Sequence, residues 1–234
     1  RIFARLASSV INKYVSTAFN MEVKLEDTGF HRIPEIPECP FALFGKWYRD
    51  QQSDSIGSKT LCLSTATKNG KVSARNVVLR RLDPDGFVIM TDNRSKKVAE
   101  LQENPFVAMT FLWVNPASDG AIISRQVRAE GLIKELPIND WIDIYDNEPL
   151  FCKIRAYVCN QGQKVKWEDL KEHHDLLLEE YTNGKHKLER PDHVRAYKLA
   201  PTMMEFYETI GPRIADRVMY LKENNLWQVT RIAA

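Results

Sequence analysis

The sequence predicts an α+β fold that is mainly β: an antiparallel barrel of hairpin-linked strands with helices at its rim. Three observations carry this. Short runs of strand composition recur at 61–67, 73–82, 87–91, 106–113 and 122–135. Several are separated by turn signals. Lys68-Asn69-Gly70-Lys71 is the strongest, because Asn-Gly tolerates positive φ at both central positions. No period of 20–50 residues repeats, which argues against solenoids and propellers.

The first twenty residues contain Arg1, Arg5 and Lys13, several Ser and Ala, and no acid before Glu22. They fit a mitochondrial transit segment or an amphipathic helix packed on the domain. Met21 is itself a candidate start, and both readings stand. Residues 22–40 read as an extended arm marked by Pro34, Pro37 and Pro40. The domain division is therefore an N-terminal arm over 1–39 and one domain over 40–234.

Residues 41–52 carry Phe44, Trp47 and Tyr48 at helical spacing. Strands 73–82 and 87–91 are joined by a tight turn through Asp83-Pro84-Asp85-Gly86. A short helix over 95–103 is stopped by Asn104-Pro105. Beyond strand 106–113 a polar loop at 115–120 leads into strand 122–135. Helical segments are predicted at 138–146, 149–159 and 167–182, the last with an apolar stripe of Leu170, Leu176, Leu177 and Tyr181. Four strands complete the chain, at about 194–199, 203–208, 216–222 and 227–232.

Bulk properties exclude several functions. The 33 basic and 31 acidic residues leave a net charge of only +2, against the strong positive excess of a nucleic-acid binder. No apolar run approaches the ~20 residues of a membrane span. Cys39, Cys62, Cys152 and Cys159 form no CxxC pair or other zinc spacing, so no metal site is predicted. Four such cysteines demand no disulfides, and a reduced cytoplasmic location is the simpler reading, with mitochondria as the alternative. No Gly-x-Gly-x-x-Gly follows a strand, and no Walker-type Gly-Lys-Ser occurs. His173 and His174 sit on the polar face of an acidic helix and read as solvated.

What remains is a pair of basic clusters, each at the end of a β-type run. Arg75-Asn76-Val77-Val78-Leu79-Arg80-Arg81 is the first, and Thr91-Asp92-Asn93-Arg94-Ser95-Lys96-Lys97 is the second. The intervening turn brings both to one end of a sheet. Solvated surface is the bland alternative. Arg75 and Arg80, however, flank a Val-Val-Leu run of buried-strand composition, where an Arg needs an anionic partner. Converging cations and hydroxyls of this kind make a site for a small phosphorylated ligand.

At this point the chain resembles the pyridoxamine 5'-phosphate oxidase family from about Pro40 to the C-terminus. The matching pieces are residues 61–67, Ser73-Ala74-Arg75 through Arg80, Thr91 through Lys97, and Arg125-Gln126-Val127-Arg128-Ala129-Glu130-Gly131. The tail adds Met204-Glu205-Phe206, Arg213-Ile214-Ala215-Asp216-Arg217 and Trp227 with Arg231-Ile232-Ala233. The resemblance implies a split β-barrel working as a homodimer, with FMN between subunits. It implies an FMN-dependent oxidase of pyridoxamine or pyridoxine 5'-phosphate, or of a related small amine or alcohol, with oxygen as acceptor. A non-catalytic FMN- or pyridoxal-phosphate-binding protein is the alternative.

Carried over position by position, the resemblance sets Arg75, Lys96 and Lys97 on the FMN phosphate and ribityl chain. Asn76, Val77, Val78, Leu79, Arg80, Met90 and Thr91 then line the cofactor. Gln126, Gln161 and Arg217 come from the partner subunit, and Tyr207 stands where the family has a Trp near the flavin. Arg213 is the leading catalytic or substrate-orienting residue. The substrate side departs from the family, which grips the substrate phosphate with Lys, Tyr, Arg and Ser. Those positions hold Arg80, Ile144, Glu148 and Cys152 here, and Ala215 replaces a His that faces substrate. Glu for Arg reverses a charge where a dianion is expected. Substrate contacts thus reduce to Arg80, Cys152, Arg213 and Ala215, and weakened activity on the usual substrate follows.

Overall fold

A computed structural model describes residues 28–51, 57, 59–117 and 120–234. The segment read as a transit peptide or amphipathic helix lies outside these residues, as does most of the first part of the arm. Helix α1 (Pro40–Arg49) opens the domain, with Pro40 in its first turn. Strands β1 (Thr60–Ala66), β2 (Val72–Asp83) and β3 (Gly86–Asp92) follow, then helix α2 (Lys96–Glu103) and strands β4 (Phe106–Pro116) and β5 (Ile122–Glu135). A 3-10 turn (Ile138–Asp140) precedes α3 (Ile142–Asp146), α4 (Leu150–Val158) and α5 (Trp167–Thr182). Strands β6 (Val194–Ile210), β7 (Asp216–Glu223) and β8 (Leu226–Ile232) end the chain.

The strands form one antiparallel sheet in the order β3-β2-β1-β4-β5-β6-β7-β8, and β3 also pairs with β6. That extra pairing closes β1 to β6 into a barrel, the predicted antiparallel split barrel. Strand β6 makes the split. Its first part, Val194 to Leu199, pairs with β3. Its later part, Met203 to Glu208, pairs with β7. Both parts pair with β5.

Two predicted strands, 194–199 and 203–208, are therefore one. Pro201, between them, cannot donate to a ladder. Instead the register shifts between Glu130 and Gly131, and the extra residue Thr202 is absorbed as a bulge. Glycine makes the bulge fit. A Cβ on Gly131 would lie 2.4 Å from the Ala200 carbonyl oxygen, and one on Gly86 only 2.3 Å from that of Leu199. The backbone of β6 is thus approached closely by β3 on one side and β5 on the other.

The hairpin turns also differ from expectation. At 68–71 only Gly70 has positive φ (83°). Gly70 N–H donates to Thr67 O, and Thr67 N–H to Lys71 O, both at 3.0 Å. This is a longer turn ending in a left-handed glycine. The both-positive turn occurs instead between β7 and β8, at Asn224 (φ 49°) and Asn225 (φ 66°).

Alternate residues of the barrel strands fill its interior. Leu61, Leu63, Phe87, Ile89, Met109, Phe111, Val127 and Leu199 are buried there. Helix α1 seals the barrel with Leu43, Phe44 and Trp47. The Phe44 ring meets those of Phe87 and Phe111 edge-on at 4.9 Å. Each such side chain contributes about 1.5–3 kcal/mol by burial. Outside the barrel, Trp141 and Tyr145 cover Val88, Val194 and Ala196. Helix α5 rests on α4 through Leu177 and Ile154. Of its predicted stripe only Leu177 is buried, while Leu176 and Tyr181 are exposed. A helix packed on one other helix needs a narrower apolar seam than one packed on a sheet. Among the described residues no helix is long and apolar enough to cross a membrane.

The bulge gives a direct stability test. Gly131→Ala should lower stability by about 1–3 kcal/mol, because backbone atoms must move to admit the methyl group. Urea unfolding of the two proteins reads this, and an unchanged midpoint would show that β6 yields freely.

Candidate functional site

The site begins where β3 ends and α2 starts. The chain turns at Asp92, and Ser95 precedes the first helical residue in extended conformation. This turn tucks Lys97 under the sheet, where it is only 5% exposed. Its Nζ donates to Thr91 Oγ1 at 3.0 Å, Ser95 Oγ at 3.1 Å and Gln161 Oε1 at 2.7 Å. All three acceptors are neutral. Burial, and then the charge of Arg75, push the Lys97 amine down to about 8 against the opposing pull of Asp92. A buried ammonium without a carboxylate in contact is short of one negative charge.

Beside it lies a second group built on α2 and the ends of β1 and β2. Arg75 pairs with Leu63 in the β1–β2 register. Its guanidinium donates to Thr65 Oγ1 at 2.5 Å and to Glu100 Oε2 at 3.1 Å. Lys96 donates to Ser73 Oγ at 2.8 Å and approaches Glu100 Oε1 at 3.4 Å. Burial alone would raise the Glu100 carboxyl. Hydrogen bonds from Thr65, Ser73 and Arg75, with the charge of Lys96, outweigh it and hold the group at about 2. The nearby Asp92 is taken up by Arg94 at 2.6 Å. Arg75, Lys96 and Lys97 therefore face one carboxylate, an excess of two positive charges. That excess and the ready hydroxyls fit a phosphate dianion.

The two basic clusters do not converge as a whole, which corrects the sequence reading. Only Arg75, Lys96 and Lys97 come together. Arg81 is held by Asp83 at 2.6 Å, and Arg94 by Asp92. Arg80 occupies a β-bulge in β2, where the register with β3 shifts between Leu79 and Arg81. Its Nη1 lies 2.9 Å from Glu148 Oε1. Arg80 Nε and Glu148 Oε2 are both buried without a hydrogen-bond partner. Leu79 is also corrected as a side-chain contact, because it is buried in the barrel core. Val77 packs against that core, Val78 is half-buried, and Asn76 is exposed.

A cavity of about 240 Å3 opens between β3, the start of β6 and helix α4. Met90, Thr91, Glu148, Cys152, Arg155, Gln161 and His193 line it. It thus gathers four expected residues, Met90, Thr91, Cys152 and Gln161, while Ile144 packs instead on the apolar cluster around Trp141. Burial, and then the Glu148 carboxylate, push the Cys152 thiol up. Gln161 meets Lys97 within one chain.

The remaining expected residues lie elsewhere. Gln126, Tyr207 and Arg217 form one row across β5, β6 and β7. The Arg217 guanidinium stands 5.3 Å from the Tyr207 ring centre, and its Nε is buried without a partner. Arg213 is exposed and Ala215 half-buried in the segment between β6 and β7. Met90 pairs with Ala196, eleven residues before Tyr207 on the same strand. At ~3.3 Å per residue that is roughly 35 Å along β6.

Sequence reasoning missed Thr65, Ser73 and Glu100, and the lining residue His193. Lys97, Glu100 and Leu101 share i, i+3, i+4 spacing in α2. Two charges beside a leucine on the inward face was the available signal.

The family model for pyridoxamine 5'-phosphate oxidase matches residues 50–140. A pyridoxine/pyridoxamine 5'-phosphate oxidase of Ehrlichia chaffeensis is 34% identical over 197 residues, covering 81% of this chain and 94% of that protein. One from Microcystis aeruginosa is 30% identical over 217 residues, covering 92% and 94%. The solved structure of PhzG from Burkholderia lata, in complex with tetrahydrophenazine-1-carboxylic acid, shares the fold. Its TM-score is 0.74 at 23% identity, over 88% of this chain and 99% of that one. With a closed split barrel and relatives matched over more than four-fifths of both sequences, this chain belongs to the pyridoxamine 5'-phosphate oxidase family.

Proposed function

We propose that this protein is an FMN-dependent oxidase acting on pyridoxamine or pyridoxine 5'-phosphate, or on a related small amine or alcohol, with weakened activity on the phosphorylated compounds. The observation that carries the cofactor is Lys97, buried beside Arg75 and Lys96 without a counterion among the described residues. These three cations hold the FMN phosphate, with Ser73, Thr91 and Gln161 supplying neutral contacts. When bound, FMN supplies a two-electron oxidation with oxygen as acceptor. Met90 and Thr91 line the cofactor, and Arg213, exposed and without a side-chain partner among the described residues, orients the substrate.

The working form is a homodimer. The Gln126–Tyr207–Arg217 row lies far along β6 from the Lys97 group, so a second copy must deliver it. An exposed apolar face supports this. Leu112, paired with Gln126 and so on the same cross-strand row, is 60% exposed, and Phe106 on the same strand is 64% exposed. The Arg80–Glu148 pair favours a second reading as well, a non-catalytic FMN- or pyridoxal-phosphate-binding protein, because it neutralises the cation expected to grip substrate.

Three measurements test this. In a fluorescence titration with FMN, Lys97→Ala should weaken binding by about 1–3 kcal/mol, the cost of a charged hydrogen bond lost. Lys97 is protonated below about 8 and neutral above it, so affinity for the anion should fall as pH rises through that value. Failure of the wild-type protein to take up FMN would remove the reading. In sedimentation the protein should run as a dimer, and Leu112→Glu should shift it toward monomer. A wild-type monomer carrying a full complement of FMN would contradict the shared site. With pyridoxamine 5'-phosphate, hydrogen peroxide release should be slow. Turnover near ~1 per second or faster at micromolar substrate would show an intact phosphate grip, and none with any B6 amine or alcohol would favour the binding protein.

A further inference from the structure

The wall of the cavity formed by Glu148 has an unusual polar balance. The Glu148 side chain is 4% exposed and Arg80 is 17% exposed, so their 2.9 Å contact is largely shielded from water. One carboxylate oxygen answers Arg80. The other, Oε2, is buried and has no hydrogen-bond partner among the described residues. A buried acceptor left unpaired is costly, and a ligand that donates to it recovers that cost. The neighbouring Cys152 thiol, raised by burial and then by a hydrogen bond to Glu148, is only a weak donor to this carboxylate. Arg155, which lines this cavity, is exposed, so its charge is screened by solvent.

We infer that this end of the cavity selects an unphosphorylated ligand bearing a hydroxyl or ammonium group, with Glu148 as the specificity-determining residue. The inference rests on the oxidase reading above and names the substrate class it leaves open. Two features oppose a phosphate here. Arg80 already has its counter-charge, and Glu148 would repel a dianion across a short, partly dry distance. A hydroxymethyl or aminomethyl group in the same place can donate to the Glu148 carboxylate and leaves the ion pair intact. The cavity, about 240 Å3, lies below the roughly 300–1,000 Å3 of drug-sized sites, which suits a ligand of one small ring.

Pyridoxamine and pyridoxamine 5'-phosphate differ only in the phosphate and serve as the probes. Calorimetric titration of the purified holoprotein should give dissociation constants within about threefold of each other, or favour pyridoxamine. Glu148→Gln keeps the side-chain size, removes the negative charge and frees Arg80. It should shift the ratio at least tenfold toward the phosphorylated ligand, while Glu148→Asp should retain the wild-type ratio. A wild-type preference of tenfold or more for the phosphorylated probe overturns the inference, as does binding of neither probe or a ratio unmoved by Glu148→Gln. The wild-type ratio decides the matter even if a variant fails to fold. Visible absorbance of the same samples reports flavin separately. Probe ratios as expected in a protein that retains no flavin remove the oxidase reading alone, and reversed ratios in a yellow protein remove this inference alone.

Discussion

Strand β6 hydrogen-bonds to three neighbours, and it can do so only because its backbone is bulged at Thr202 and approached by two glycines. Gly86 and Gly131 lie against consecutive carbonyls, those of Leu199 and Ala200. Before that point the strand closes the barrel on β3, and after it the strand leaves the barrel to carry β7 and β8. The bulge therefore sets the barrel's closure and its extension at once. It also fixes where chemistry can be placed. Everything attached to β3 stays at one end of β6, and everything paired with β7 stays at the other.

That division explains the electrostatics. Near β3 the chain concentrates cations and leaves Lys97 without a counterion, although the next turn of helix supplies Glu100 to Arg75 and Lys96. Glu100 limits the charge without cancelling it. The group stays compact in the absence of a ligand and still holds a surplus for an anion. At Arg80 the arrangement is reversed, because one cation meets one carboxylate and the pair is closed. Two basic stretches that look equivalent in sequence thus end in opposite states. The difference comes from α2 and the residues before α4, which provide the acids.

The fold was legible because its signals are local. Hydrophobic alternation located β1 to β5, and the composition of α1 and α5 located those helices closely. Where the sequence misled, a distant residue decided the outcome. Residues 194–199 and 203–208 read as separate strands until Gly131 lies opposite Pro201. Asn69-Gly70 reads as a two-residue turn until the Thr67 pairing lengthens it, while Asn224 and Asn225 take that conformation without any glycine. The site follows the same rule. Arg75, Lys96, Lys97, Thr91 and Gln161 were named from the resemblance, and four of them are tied by hydrogen bonds to α2 or its cap. Glu100 went unseen because a carboxylate on a short helix normally reads as surface. Its burial depends on Thr65 and Ser73, each on a different strand.

Charge reversal at one position does more than delete a contact. Had Glu148 been a neutral residue, Arg80 would be a half-buried cation and the cavity would still attract an anion. Because Glu148 pairs through one oxygen and leaves the other unanswered, the same wall becomes a hydrogen-bond acceptor. The helix cap at Ser95 and the Lys97 cluster are unaffected, since neither contacts this pair among the described residues. A family scaffold can therefore keep its anion site at the start of α2 while altering what it accepts beside α4. The two sites sit on separate helices, joined through Gln161, the Arg94–Cys159 hydrogen bond and the end of β3, so selection can act on one while stability and cofactor chemistry constrain the other.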